Sequence, residues 1–212
     1  MQDRRRLKRF DRASVYPTTN TGEAVRPEVE RELVRKCKAG DARFFEPLVR
    51  AYEQPGLRVA LGMMGNADDA RDALQEAFVK TFKALGRFDL GRSFGPWFFQ
   101  ILRNQCRDQL RSRQARFKVE ALDEGLELRS DLSQEGTDRR VSRQEAQSLL
   151  WRGLEKISEE HREIIVLKEL QGFRYSEIAS ILEVPEGTVA SRLYHARRAL
   201  KDALIEMGIE YP

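Results

Sequence analysis

The sequence predicts an all-α protein: two small helical domains joined by a flexible acidic linker, with the C-terminal domain built as a helix-turn-helix. Three observations carry that reading. Apolar residues recur at helical spacing in two blocks, residues 27–113 and 144–208. Between them, residues 114–143 lose the pattern and gather Glu120, Asp123, Glu124, Glu127, Asp131, Glu135 and Asp138 among Ser and Gly, the composition of a linker. No segment sustains the period-two alternation of β-branched residues that strands need.

Each element follows from local chemistry. Residues 1–26 open on a basic cluster (Arg4, Arg5, Arg6, Lys8, Arg9, Arg12) and continue without apolar periodicity, which predicts a disordered basic tail. Val29, Leu33, Val34 and Cys37 then step at helical spacing until Gly40 and Asp41, a stop followed by a new start. The second helix carries Phe44, Phe45, Leu48, Val49 and Tyr52, and a kink or break is expected at Pro55 and Gly56 before it resumes through Val59 and Met63. The clearest helix runs from about Asp68 to Leu85, its stripe made of Ala70, Ala73, Leu74, Ala77, Phe78, Thr81, Phe82 and Leu85. An aromatic-rich helix is expected to start at Pro96 and to end near Arg113. Beyond the linker, Leu149, Leu150, Leu154 and Ile157 mark one helix and Ile164, Ile165, Leu167 and Leu170 the next.

Composition narrows the function classes. The 212 residues, 41% of them hydrophobic, suffice for one or two cores. Lys plus Arg number 38 against 34 Asp plus Glu, so the placement of charge matters more than its sum. Cys37 and Cys106 are too few and too distant for a metal cluster or a disulfide framework, and both read as small buried hydrophobes; a cytoplasmic chain is expected, with no cofactor. The longest apolar run, Val59 to Gly65, is far short of the roughly 20 residues of a membrane helix. His161 and His195 are the only histidines, and neither a glycine-rich phosphate loop nor a nucleophile motif is present, so an enzyme is not expected.

Three surfaces carry chemistry. Tyr175 to Leu182 and a helix from Glu186 flank the three-residue turn Glu183, Val184, Pro185, the geometry that presents a recognition helix to a DNA major groove. With Val189, Leu193, Ala196 and Leu200 buried, Thr188, Ser191, His195 and Arg198 point outward, flanked by Arg192 and Arg197. No Asp or Glu lies between Gly187 and Lys201, so phosphates meet no local repulsion; a merely solvated basic helix is the plainer alternative.

On the aromatic helix, Arg103, Arg107 and Arg111 line one side with Gln100 and Asn104 beside them, and Arg92, Ser93 and Phe94 sit in the adjoining loop. A cationic track beside exposed rings suits single-stranded nucleic acid, where each base stacked on a ring contributes about 1–3 kcal/mol. Trp97 is equally consistent with core and with nucleic-acid contact, and a solvated face also accounts for the arginines. Finally, Asp68, Asp69, Asp72, Gln75 and Glu76 form an acidic strip on the third helix. The helix dipole explains Asp68 and Asp69 but not Glu76, which leaves a protein partner as an even alternative.

Taken together these motifs resemble the extracytoplasmic-function sigma factors of bacterial RNA polymerase, group 4 of the sigma-70 family. Asp68-Asp69-Ala70-Arg71-Asp72-Ala73-Leu74-Gln75-Glu76-Ala77-Phe78 is similar to that family's polymerase-binding helix. Arg87-Phe88-Asp89-Leu90-Gly91-Arg92-Ser93-Phe94, then Trp97 and Arg103-Asn104, resemble its promoter-melting segment, which captures flipped bases of the −10 element. Tyr175-Ser176-Glu177-Ile178-Ala179 and Val184-Pro185-Glu186-Gly187-Thr188-Val189-Ala190-Ser191-Arg192-Leu193 resemble its helix-turn-helix for the −35 element. The resemblance implies a non-enzymatic initiation factor whose partners are core RNA polymerase, promoter DNA in duplex and single-stranded form, and an anti-sigma factor. Departures fall at Ala190, where the family usually has a basic residue, and at Gly95 and Pro96 in place of basic and small residues. Two rival expectations are a dimerising DNA-binding regulator that recruits nothing, and an enzyme.

Overall fold

The computed structural model describes residues 27–124 and 143–209. Among these residues every regular element is helical: α1 (Pro27–Lys38), α2 (Phe45–Met64), α3 (Ala67–Ala84), α4 (Phe94–Glu124), α5 (Arg143–Lys156), α6 (Glu159–Ile165), α7 (Tyr175–Leu182) and α8 (Glu186–Glu206). Short 3-10 turns at Ala42–Phe44 and Leu85–Arg87 close the connections after α1 and α3, and a π turn at Val166–Leu170 extends α6. The expected basic tail, residues 1–26, lies outside the described residues, as does the central part of the expected linker.

Helix starts and stops follow the side chains that satisfy their free backbone groups. The Asn66 side chain accepts from the backbone N–H of Asp68 at 2.8 Å and of Asp69 at 3.1 Å, and Gly65, at φ 71°, closes α2 just before it. In α6, Ser158 Oγ accepts from the His161 N–H at 3.3 Å. At α7 the Arg174 N–H donates to the Glu177 carboxylate at 2.8 Å.

Three local expectations need correction. Pro55 and Gly56 do not break the second helix: α2 runs unbroken through both, and both are buried. Gly56 is there for packing, since a Cβ at that position would lie 2.6 Å from Leu74 Cδ1 on α3, too close for any side chain. The aromatic helix starts two residues earlier than Pro96, which is accommodated in its first turn, and it continues past Arg113 to Glu124, into the stretch expected to be linker. Phe82 does not join the core stripe; it is 46% exposed, and its ring meets that of Phe45 edge-on, centroids 5.1 Å apart.

The first half is a bundle of α2, α3 and α4 roofed by α1. Its interior holds Leu48, Tyr52, Val59, Leu74, Phe98, Phe99, Leu102 and Cys106, with small residues (Ala70, Ala73, Ala77) where α3 crosses its neighbours. Burial pushes the Cys106 thiol up to about 12, so it behaves as the small hydrophobe its position suggested. The second half packs α5, α6 and α7 on α8 through Leu154, Ile164, Ile178, Ile181, Leu193 and Ala196. The halves are also in contact with each other: α4 packs on α7, and α2 packs on α6 and the π turn after it.

Candidate nucleic-acid interface

The helix-turn-helix forms as its spacing predicts. α7 ends at Leu182, Glu183 takes the left-handed conformation at φ 56°, and α8 begins after Pro185. Val189, Leu193 and Ala196 are buried seam residues, which turns Ser191, His195 and Arg198 to solvent, with Thr188 half-buried at the start of the helix. Ser191 Oγ donates to the Thr188 carbonyl at 3.1 Å. Arg197 leaves the outward face for Glu169, at 2.9 Å through Nε and 2.5 Å through Nη2, and Arg192 lies 3.6 Å from Glu160. Among the described residues Arg198 has no such partner. Tyr194, 64% exposed with its ring 5.3 Å from His195, adds an aromatic beside that face that spacing alone did not single out.

The strip on α3 is equally open. Asp68, Asp72, Gln75 and Glu76 are exposed and Asp69 is half-buried. Asp68 pairs with Arg71 at 2.7 Å and Asp69 pairs with Arg113 of α4. Asp72, Gln75 and Glu76 carry no ion pair or hydrogen bond among the described residues. Val79 (40% exposed) and Phe82 continue this strip along α3 as uncovered apolar positions. Phe82 escaped the sequence reading because it fits the i, i+4 rhythm of Phe78; the helix turns it just past the edge of the core.

The α4 surface departs most from expectation. Phe94 is not an exposed loop ring: it is 3% exposed in α4, packed among Tyr52, Phe88 and Phe98, so it is unavailable for base stacking in this arrangement. Gly95 is required by the same cluster, because a Cβ there would lie 2.8 Å from the Tyr52 hydroxyl. Tyr52 in turn donates to Glu30 Oε1 at 2.8 Å. Burial pushes the Glu30 carboxyl above its ordinary value of 4.5, and the Tyr52 hydrogen bond partly offsets that. Trp97 is half-buried against Phe88, centroids 4.5 Å apart, and Phe94, at 5.7 Å. Arg92 and Ser93 are exposed at the helix entrance, as are Asn104 and Arg111 further along, while Gln100 is half-buried.

Arg103 is not part of a free cationic row. It is 8% exposed, its Nε donates to Glu163 Oε2 of α6 at 3.0 Å, and its Nη1 donates to the Asn104 side chain at 3.2 Å. Arg107, half-buried, lies 3.7 Å from the other oxygen of the same carboxylate. Glu163 is 2% exposed; burial holds its carboxyl above the ordinary value of 4.5, and the two guanidinium groups offset that only in part. The only sequence signal for Glu163 was a carboxylate entering the apolar run Ile164 to Leu167 at helical spacing from Leu167.

Comparisons with known proteins assign this architecture. Residues 48–116 match Sigma-70 region 2 and residues 147–200 match Sigma-70, region 4. The RNA polymerase sigma-H factor of Pseudomonas aeruginosa is 32% identical over 184 residues, covering 84% of this chain and 94% of that protein. The ECF RNA polymerase sigma-E factor of Escherichia coli is 30% identical over 176 residues, covering 81% of this chain and 92% of that protein. Among solved structures, the sigma factor RpoE in complex with the anti-sigma factor NepR from Bartonella quintana aligns with a TM-score of 0.54 at 29% identity, over 71% of this chain and 90% of that one. With region 2 on α2 to α4 and region 4 on the helix-turn-helix half, the chain belongs to the extracytoplasmic-function group of the sigma-70 family, and is a transcription initiation factor that directs RNA polymerase to promoters.

Proposed function

We propose that this sigma factor divides initiation among three of its surfaces. The strip on α3, Asp68, Asp69, Asp72, Gln75 and Glu76 with Val79 and Phe82 beside it, docks on core RNA polymerase. The α4 region, with Arg92, Ser93, Trp97, Gln100, Arg103, Asn104, Arg107 and Arg111, takes the opened −10 strand. On α8, Thr188, Ser191, Arg192, His195, Arg197 and Arg198 read the −35 duplex. Residues 27–113 and 144–208 act as the two functional domains, and residues 114–143 connect them. The chain performs no chemistry of its own, because RNA synthesis stays on the polymerase. An anti-sigma factor restrains it, by analogy with the RpoE and NepR complex.

The observation that supports this reading best is the outward face of α8. A helix whose seam is buried at Val189, Leu193 and Ala196 while Ser191, His195 and Arg198 stay exposed can enter a major groove without unfolding anything. Run-off transcription with core polymerase tests it. Wild type is expected to give defined start sites and the Asp72→Lys, Glu76→Lys double variant none, with an unchanged circular dichroism spectrum. Equal retention of both proteins on immobilised core polymerase would remove the α3 assignment.

A further inference from the structure

The chain's excess positive charge is concentrated at one end. Residues 1–12 hold Arg4, Arg5, Arg6, Lys8, Arg9 and Arg12 against Asp3 and Asp11. That is six of the chain's 38 Lys and Arg and two of its 34 Asp and Glu, so residues 13–212 carry 32 of each and the net charge of +4 sits wholly in the first twelve residues. None of the three surfaces on α3, α4 and α8 includes these residues.

The point where this segment joins the fold is defined. α1 begins at Pro27, and Pro27 lines a crevice with Arg31 of α1, with Arg92 and Ser93, and with Pro96 in the first turn of α4. Arg31, Arg92 and Ser93 are exposed, and neither guanidinium has an ion pair or hydrogen bond among the described residues. The two carboxylates that line the crevice are engaged: Glu30 accepts from the Tyr52 hydroxyl at 2.8 Å, and Glu177 from the Arg174 N–H at 2.8 Å. The basic segment is therefore tethered at the entrance of α4, and its effective concentration is highest on whatever lies over that entrance.

The α3 strip is the other surface of suitable sign, with Asp72 and Glu76 exposed and unpaired. Two observations favour a strand over the strip. α1 packs on α2, on α4 and on the turn after α3, which sets the exit of the segment beside α4. In the initiation complex the strip faces polymerase, whereas a strand at the α4 entrance presents one phosphate per nucleotide.

We infer that residues 1–12 are a phosphate-binding arm, whose arginines and Lys8 close over the promoter strand that enters α4 at Arg92 and Ser93 and add sequence-independent affinity beside the −10 element. This rests on the assignment of the α4 entrance to strand capture. Guanidinium groups pair with phosphate through planar, multiple donors, and each phosphate neutralised releases counterions. The arm contributes salt-dependent binding that carries no sequence information, and selectivity stays with the base-facing side chains of α4 and α8.

Holoenzyme made with the full-length chain tests this, on a promoter fragment whose start site has been mapped by run-off and whose −10 region is held open by mismatches. Replacing Arg4, Arg5, Arg6, Lys8, Arg9 and Arg12 by Gln should leave the start site unchanged. The same variant should make the logarithmic dependence of affinity on salt shallower by about 3, for about four phosphates of single-stranded DNA at about 0.7 each. Benzoylphenylalanine in place of Phe10 should cross-link to bases within or beside the −10 element. An unchanged salt slope would overturn the arm, and so would cross-links absent from the −10 region. Salt-dependent loss of core binding without DNA would assign the arm to polymerase instead. A lower thermal midpoint of the free variant in low salt would assign it to the α3 strip, and either result removes the proposal. Should wild-type holoenzyme itself fail to retain the open fragment, the strand-capture reading falls and the arm with it; retention by wild type and variant alike, with equal slopes, removes the arm alone.

Discussion

α4 and α8 both carry arginines at helical spacing, yet Arg103 on α4 and Arg198 on α8 meet opposite surroundings. On α8 the seam Val189, Leu193, Ala196 faces the core and Arg198 faces water. On α4, Arg103 and Arg107 face the Glu163 carboxylate of α6, which lies 60 positions along the chain from Arg103. Spacing reveals which side chains share a face. It does not reveal whether another part of the same chain lies on that face. A guanidinium can be buried when one well-placed carboxylate and an amide satisfy it, and Arg103 has both.

The contrast can be broken or sharpened by substitution, the largest effect first. Phe173→Ala removes a ring buried against Phe99 and should destabilise the protein by about 3–5 kcal/mol, read as a lower midpoint in denaturant; a shift no larger than that of an exposed substitution would mean that the halves are not packed as described. Next is Arg198→Ala, for which affinity for an upstream duplex should fall by about 1–3 kcal/mol with the thermal midpoint unchanged. Loss of stability there would show that the α8 face is less open than α4 is covered. Trp97→Ala should leave duplex binding alone and reduce permanganate reactivity of promoter thymines in the holoenzyme; normal reactivity would return Trp97 to a purely packing role against Phe88. Glu30 provides a smaller effect with a defined sign. Burial raises its pKa above 4.5, so just above that pH the folded chain keeps a proton that the unfolded chain has released, and stability declines as pH rises through the shifted value. Glu30→Gln keeps an acceptor for Tyr52 and should flatten that decline in thermal melts between pH 4.5 and 8; an identical slope would show that Glu30 is not the group responsible.

Much of this was legible in the sequence, and the rest has physical reasons for being hidden. Helical spacing located the α3 stripe, and Glu183 to Pro185 marked the turn of the helix-turn-helix. At Pro55 and Gly56 the expected break is absent from α2, and for Gly56 the Leu74 side chain on α3 shows a close-packing use that sequence does not distinguish from a breaker. Phe94 was taken for a loop ring because its partners, Tyr52 and Phe88, come from other elements. The pairing of Arg103 with Glu163 escaped for the same reason: no local pattern connects a guanidinium in one half to a carboxylate in the other. On the α3 strip the spacing was sufficient, because nothing among the described residues covers Asp72, Gln75 or Glu76.

The burial of Arg103 and the exposure of Arg198 can be measured directly. Brief phenylglyoxal treatment of the free chain, followed by peptide mass spectrometry, should modify Arg198 rapidly and leave Arg103 protected until the protein is unfolded. Modification of Arg103 at the rate of Arg198 in the folded protein would contradict the account.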